Sequence, residues 1–347
     1  MARLAGFVAV LALVLVGAAP AWACGGLVGE NGTIQLTRTT TLAAYHDGVE
    51  RYVTSFEFSG QGKEVGSIVP LPGVPSKVER GGSWTLQRLE REVAPPSFEK
   101  AAFALDAVPN AAGVTVLQQT QIDALDITIL KGGGDAVGKW AVDHGFLLTP
   151  DAPQMLDFYS HRSPIFMAAR FNAEKARQLA QNAGDGTPIM LTIPTPNPWV
   201  PLHILSLGLD KAKPVNADVF LLTDTQPKLL AGGYGLSLQR NEPASALLLD
   251  DLRSDKGMSW VPSSMWFTYL RLDVPAGQLS YDLAVSTRSG EVPKFADTGV
   301  RATEVRAITQ RQPGRALWPI VAAVGVTVLT LALLAIVKRR RPHGAAA

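Results

Sequence analysis

The sequence predicts an α+β domain with a mainly antiparallel sheet and a few short helices, exported and held by one C-terminal transmembrane helix. Three observations lead there. Short runs of β-branched, aromatic and leucine residues recur in both halves of the chain, while stretches with helical spacing are few and short. Twenty-four prolines and 32 glycines cut those runs to strand length. Two long apolar segments stand at opposite ends of the 347 residues.

The N-terminal segment has the parts of a secretory signal. Arg3 supplies the positive charge, Leu4 to Val16 the apolar run, and Ala21 and Ala23 the small residues of an A-x-A cleavage site. Residues 1–23 are therefore expected to be removed, leaving Cys24-Gly25-Gly26 at the mature N-terminus.

An extracytoplasmic domain is expected over 24–288. It opens with strands at Thr33–Tyr45 and Arg51–Phe58, the second carrying Tyr52, Thr54, Phe56 and Phe58 on one face. Between them His46-Asp47-Gly48-Val49 reads as a tight hairpin, because Asp-Gly accepts the positive φ that a two-residue turn demands. A third strand, Val65–Val69, runs into Pro70-Leu71-Pro72-Gly73-Val74-Pro75, where proline has no amide to continue a ladder.

Helical spacing then appears. Ser83 is placed to cap a helix with Leu86, Leu89 and Val93 on one face, ended by Pro95-Pro96. Ile127–Leu130 is a short strand leading through Gly132-Gly133-Gly134 to a second helix. That helix has Asp135 as its expected cap, a Val137, Trp140, Ala141, His144 stripe and Gly145 at its stop. Thr149-Pro150-Asp151 starts a third.

The second half returns to strands at Ile165–Phe171, Pro188–Ile193, His203–Leu209, Asp218–Leu222 and Met265–Leu272. A faint strand–loop–strand–PxP echo links Val53–Pro75 with Phe166–Pro201, and both duplication and chance recurrence would produce it. Residues 289–316, with several charges and few aromatics, read as a stalk.

Leu317–Val337 holds 21 residues without a charge. At ~1.5 Å per residue it spans ~31 Å, the thickness of a bilayer core. Lys338, Arg339, Arg340 and Arg341 follow at once, which places the ten-residue tail in the cytoplasm and the bulk of the chain outside. Setting Arg3 and these four aside, 27 basic residues face 30 acidic ones. The exported part thus has no basic excess, and a nucleic-acid partner is not expected.

No chemical motif is complete. The single cysteine excludes an intrachain disulfide and any site needing two thiolates. Gly132-Gly133-Gly134 lacks the G-K-[ST] of a phosphate loop, and Asp135 would repel phosphate. No H-x-x-x-H spacing joins His46, His144, His161, His203 and the tail's His343, so no metal or cofactor is expected. Ser97-Phe98-Glu99-Lys100 matches S-x-x-K without its companion motifs and reads as a helix cap. Asp250-Asp251 and the pair Glu57 and Glu64 offer carboxylates but no acid–base constellation.

Two features stay open to function. Cys24 is a lipidation site, a free or intermolecularly paired thiol, or a packed thiol. The tract from Pro194 through Pro196 and Pro198 to Trp199 is either a polyproline-like docking ridge or a rigid crossover whose tryptophan covers the sheet.

Cys24-Gly25-Gly26 after a signal peptide, the hairpin Asp47-Gly48-Val49-Glu50-Arg51 and the run Gly66-Ser67-Ile68-Val69-Pro70-Leu71-Pro72-Gly73-Val74-Pro75 resemble the DUF2330 family. Asp135–Gly145 and Pro194–Pro201 extend the likeness over most of Cys24 to Asp282. The resemblance implies a bacterial exported protein, often membrane-anchored, from a family with no established activity. It supplies no catalytic residue. Some relatives carry further cysteines, so a shared disulfide or redox role does not carry over to this chain.

The function expected is a non-catalytic binding or envelope-interaction module on the outer face of the membrane, with another envelope protein as a possible partner. The alternatives are an extracytoplasmic hydrolase acting on envelope material and a thiol protein using Cys24.

Overall fold

The structure, a computed structural model, describes residues 27–29, 35–59, 64–93, 115–179, 187–288 and 291–309. Among these, strands dominate and helices are short, the α+β class that the sequence predicts. No described helix is long and apolar enough to cross a membrane. The expected signal segment 1–23 and spanning segment 317–337 lie outside the described residues.

The strands are β1 (Leu27–Gly29), β2 (Gln35–His46), β3 (Val49–Ser59), β4 (Glu64–Pro70), β5 (Lys77–Arg80), β6 (Thr115–Ile122), β7 (Leu125–Lys131) and β8 (Ile165–Asn172), followed by β9 (Ile189–Pro194), β10 (Trp199–Val200), β11 (Pro214–Thr223), β12 (Lys228–Ala231), β13 (Leu236–Pro243), β14 (Trp266–Pro275), β15 (Leu283–Ser286) and β16 (Arg306–Ala307). The helices are α1 (Thr85–Val93), α2 (Gly134–Asp143), α3 (Ala152–Ser160), α4 (Ala173–Gln178) and α5 (Ala246–Arg253).

These strands form three sheets: seven strands in the order β13-β14-β11-β2-β3-β9-β5, five in the order β1-β4-β8-β7-β6, and four in the order β10-β15-β12-β16. Every described pairing is antiparallel except β2 with β11. The β2–β3 turn is the tight hairpin foreseen, with Asp47 at φ 51° and Gly48 at φ 77°.

Side chains alternate across the seven-stranded sheet, so its two faces enter separate cores. Ala43, Tyr52, Leu191, Val219 and Leu270 join the large core shared with the other sheets, α2 and α3. Leu42, Val53, Met190, Phe220 and Phe267 face the other way, against Leu86 and Leu89 of α1 and Leu248, Leu249 and Leu252 of α5.

The chain passes repeatedly between the larger sheets, since β1, β4 and β6 to β8 lie in the five-stranded sheet and β2, β3, β5 and β9 in the seven-stranded one. Two of these passages, β3 to β4 and β8 to β9, run side by side: β4 pairs with β8 while β3 pairs with β9. The two segments that echo each other in sequence are thus direct partners, crossing in opposite directions.

Several local expectations change. Ser83 does not cap α1: Asp255 does, its Oδ2 accepting from the amides of Trp84 (3.1 Å) and Thr85 (2.7 Å) and from the Thr85 hydroxyl (2.8 Å). A remote carboxylate supplies what a neighbouring hydroxyl was expected to supply. Asp135 lies in the first turn of α2 and makes no cap bond, Gly133 being the cap residue. Gly134 is required by packing, since a Cβ there would stand 2.6 Å from the Asp157 amide nitrogen of α3.

The expected strand His203–Leu209 is instead a 3-10 helix over His203–Ser206 and a turn. Its backbone donors are already engaged. Leu202 and His203 donate to Asp282 Oδ1 at 2.6 and 2.9 Å, and Ile204 donates to the Tyr159 hydroxyl at 2.9 Å.

The expected stalk also begins too early. Residues 291–309 belong to the folded unit: the Thr298 carbonyl accepts from the Asp282 amide at 2.9 Å, and β16 pairs with β12. The low aromatic content of this segment conceals that it closes the small sheet by backbone bonds, which composition does not report.

Candidate functional site

One group of polar side chains gathers at and around the β2–β3 hairpin. Because β2 and β11 are parallel with Tyr45 beside Thr223, the next residues of each, His46 and Asp224, emerge together at the sheet end. His46 Nδ1 lies 2.6 Å from Asp224 Oδ1, and its Nε2 lies 3.3 Å from Asp47 Oδ2. One ligand atom from each of the three lies within 4.8 Å of the others. His46 is half-buried, while Asp47 and Asp224 are exposed.

Trp260 closes the buried side of this group. Its ring stacks on the imidazole at 6.3 Å between centroids, and the Arg51 guanidinium sits 4.1 Å above the same indole. Burial pulls the Arg51 pKa down, with the Asp47 charge opposing that shift.

Glu50 takes the opposite face of the same hairpin and is completely buried. Neither carboxylate oxygen has a hydrogen-bond partner among the described residues. Desolvation alone pushes its pKa up to about 8, so the group is a neutral acid at pH 7. A buried acid without partners is uncommon, because an ionised carboxylate in such surroundings carries a large solvation penalty.

A second polar cluster lies around Asp282, which is also completely buried. Asp282 accepts from the Tyr159 hydroxyl at 2.8 Å, from the two amides named above and from the Arg162 guanidinium. Arg162 also donates to the Asp297 carbonyl and lies 4.1 Å over the Trp199 ring. Burial lifts the Tyr159 hydroxyl pKa well above its usual value, helped by the Asp282 charge, and lifts that of Asp297 as well. The Asp282 carboxylate is fully engaged, while the buried Arg162 Nε and His203 Nδ1 have no hydrogen-bond partner among the described residues; the bonds tie α3, the β10 region, β15 and the 291–309 segment into a structural joint.

This joint settles the form of the proline tract. Pro194 and Pro196 are exposed, but Pro198 and Trp199 are buried. Trp199 stacks on Tyr159 at 5.9 Å and pairs through β10 with β15. Of the two forms open for the tract, the burial of Pro198 and Trp199 matches the rigid crossover whose tryptophan covers the sheet, while Pro194 and Pro196 stay at the surface.

The four described histidines do not converge. His144 stacks on Trp140 at 4.0 Å and bonds its carbonyl; His161 reaches the Asp157 carbonyl one turn back. His203 meets Phe158 edge-on at 4.7 Å, and burial lowers its pKa. Asp250 and Asp251 pair with Arg253 and Arg88 respectively. Cys24, Gly25, Gly26, Ser97 and the tail residues Lys338, Arg339, Arg340 and Arg341 lie outside the described residues.

His46 beside Asp47 is visible in the sequence, whereas Asp224 is 178 positions away. Only the parallel register of β2 and β11 joins them. Glu50 carried a readable signal, an acid at an inward position of an alternating strand.

Residues 18–226 match the family described as "Uncharacterized protein conserved in bacteria (DUF2330)". The chain belongs to this family. The DUF2330 match includes the hairpin, the His46–Asp224 pair and the proline tract. No curated protein sequence matches the chain. Among solved structures, baculovirus P35 is similar over 75% of this chain and 97% of its own, at 10% identity and a TM-score of 0.38. A mutated baculovirus P35 after caspase cleavage is similar over 79% and 100%, at 8% identity and a TM-score of 0.33. At such scores neither likeness bears on the fold or activity of this DUF2330 protein.

Proposed function

We propose that this DUF2330 protein is exported, held in the membrane by residues 317–337, and acts there as an extracytoplasmic binding module for a component of the cell envelope. The observation that carries the reading is the 21-residue uncharged run followed directly by Lys338-Arg339-Arg340-Arg341. The folded unit ends at Thr309, so only 310–316 separate it from that run.

Binding is favoured over hydrolysis because the described histidines are dispersed among separate structural partners, and the Asp282 cluster is consumed by the fold. The hairpin end, with His46, Asp47, Asp224 and the Arg51–Trp260 stack, concentrates charge and aromatic surface in one place.

Topology is tested by protease treatment of intact spheroplasts, with the full chain tagged at its C-terminus. The expected result is loss of the domain with a protected C-terminal fragment, and extraction only by detergent. A chain released by alkaline carbonate, or a domain protected until lysis, would overturn the anchoring. Turnover of an envelope substrate by the detergent-purified full chain, lost on a single polar substitution, would overturn the binding reading.

A further inference from the structure

The geometry points to a divalent first-row transition-metal site at the tip of the β2–β3 hairpin, formed by His46, Asp47 and Asp224; we propose zinc as its simplest occupant. The inference does not depend on the binding-module reading.

The argument begins with distances. A tetrahedral ion with bonds of about 2.0–2.1 Å places neighbouring ligand atoms roughly 3.3 Å apart. His46 Nε2 and Asp47 Oδ2 are separated by 3.3 Å. On the far side of the ring, Asp224 Oδ1 lies 2.6 Å from Nδ1. A carboxylate accepting the Nδ1 proton fixes the tautomer and turns the Nε2 lone pair outward, the arrangement that supports metal-bound histidines elsewhere. His46 Nε2 and Asp47 Oδ2 are thus the direct ligands, Asp224 orients the ring, and water completes the shell.

Rigidity and charge agree. His46 ends β2, Asp47 is held at φ 51° in a two-residue turn, and Asp224 directly follows β11, so all three stand on or beside paired backbone. The Gly48 carbonyl accepts from the Thr195 amide at 3.1 Å and pins the turn. Arg51 stacks over Trp260 while its charge acts on Asp47. An imidazole with carboxylate oxygens suits zinc, manganese or iron(II) better than calcium, which takes oxygen ligands only.

The competing account is a protonated His46 bridging two aspartates as a surface ion pair, indifferent to metal. The two are separated by titrating zinc into chelator-treated, detergent-purified full chain by calorimetry at pH 7.5. Wild type should bind one zinc at this site, and Asp47→Asn and His46→Gln should each abolish that event. Asp224→Asn should weaken it 10- to 100-fold. Asn tolerates positive φ, so Asp47→Asn keeps the turn, and unchanged melting without zinc verifies each fold. No saturable binding up to millimolar zinc, or binding undiminished in both Asp47→Asn and His46→Gln, overturns the proposal.

Discussion

His46 Nδ1 lies 2.6 Å from Asp224 Oδ1 although 178 positions separate the two residues. The contact exists because β2 and β11 are the parallel pair in a sheet otherwise described as antiparallel, in register from Ala217 beside Thr39 to Thr223 beside Tyr45. A one-residue slip would send Asp224 to the opposite face and leave His46 without this partner. Several further consequences of the fold can be measured.

Glu50 makes stability depend on pH in an unusual direction. Its pKa rises from 4.5 unfolded to about 8 folded, so the native state holds a proton that the unfolded state has released between those values. Stability is full below the unfolded pKa and is lost as pH rises toward about 8. In Glu50→Gln this contribution disappears. The stability difference between wild type and variant should therefore change by about 1.4 kcal/mol per pH unit across pH 5 to 7.5. Urea unfolding at several pH values checks it; a difference that does not vary with pH would show that Glu50 is not a buried neutral acid.

Asp282→Asn should be severely destabilising. It removes the buried ion-pair partner of the Arg162 guanidinium, which has only 11% of its side chain exposed. Breaking a buried pair from one side costs about 3–5 kcal/mol. Thermal unfolding should fall accordingly, whereas Arg301→Ala, which removes an exposed pair with Glu304, should cost under about 1 kcal/mol.

Asp255→Ala tests the remote cap of α1. Its carboxylate accepts three hydrogen bonds from Trp84 and Thr85, so removal should cost about 1–2 kcal/mol. Ser83→Ala should change stability by no more than a few tenths of a kcal/mol. Equal effects of the two would return the capping role to Ser83.

The edge of the folded unit is a fourth test. Residues 291–309 supply the Asp297 carbonyl to Arg162, the Thr298 carbonyl to Asp282 and β16 to β12. Limited proteolysis of the full chain should leave a resistant fragment that ends after Ile308. Cleavage between 288 and 300 without loss of the remaining structure would restore the stalk.

The class of the fold, its tight Asp47-Gly48 hairpin, the β4 stop at Pro70 and the α2 stop at Gly145 follow from local chemistry. Alternation, missing amide donors and positive φ act within a few residues and can be read in order along the chain. The apolar run with its basic tail and the family likeness are legible for the same reason.

The remainder depends on which distant groups meet. Asp255 replaces Ser83 because a loop 170 residues away reaches the helix end. Residues 203–206 become a 3-10 turn because Asp282 and Tyr159 take amides that a strand would have offered to a ladder. Trp199, outwardly part of a proline ridge, is buried because Tyr159 and Arg162 stand ready to cover it. Hydrogen-bond donors and charges are satisfied by whichever partner the packing brings near, and at separations of a hundred residues sequence spacing carries no record of that choice. His46 and Asp224 meet by the same rule, so local sequence determined the hairpin and only the sheet order decided what its histidine faces.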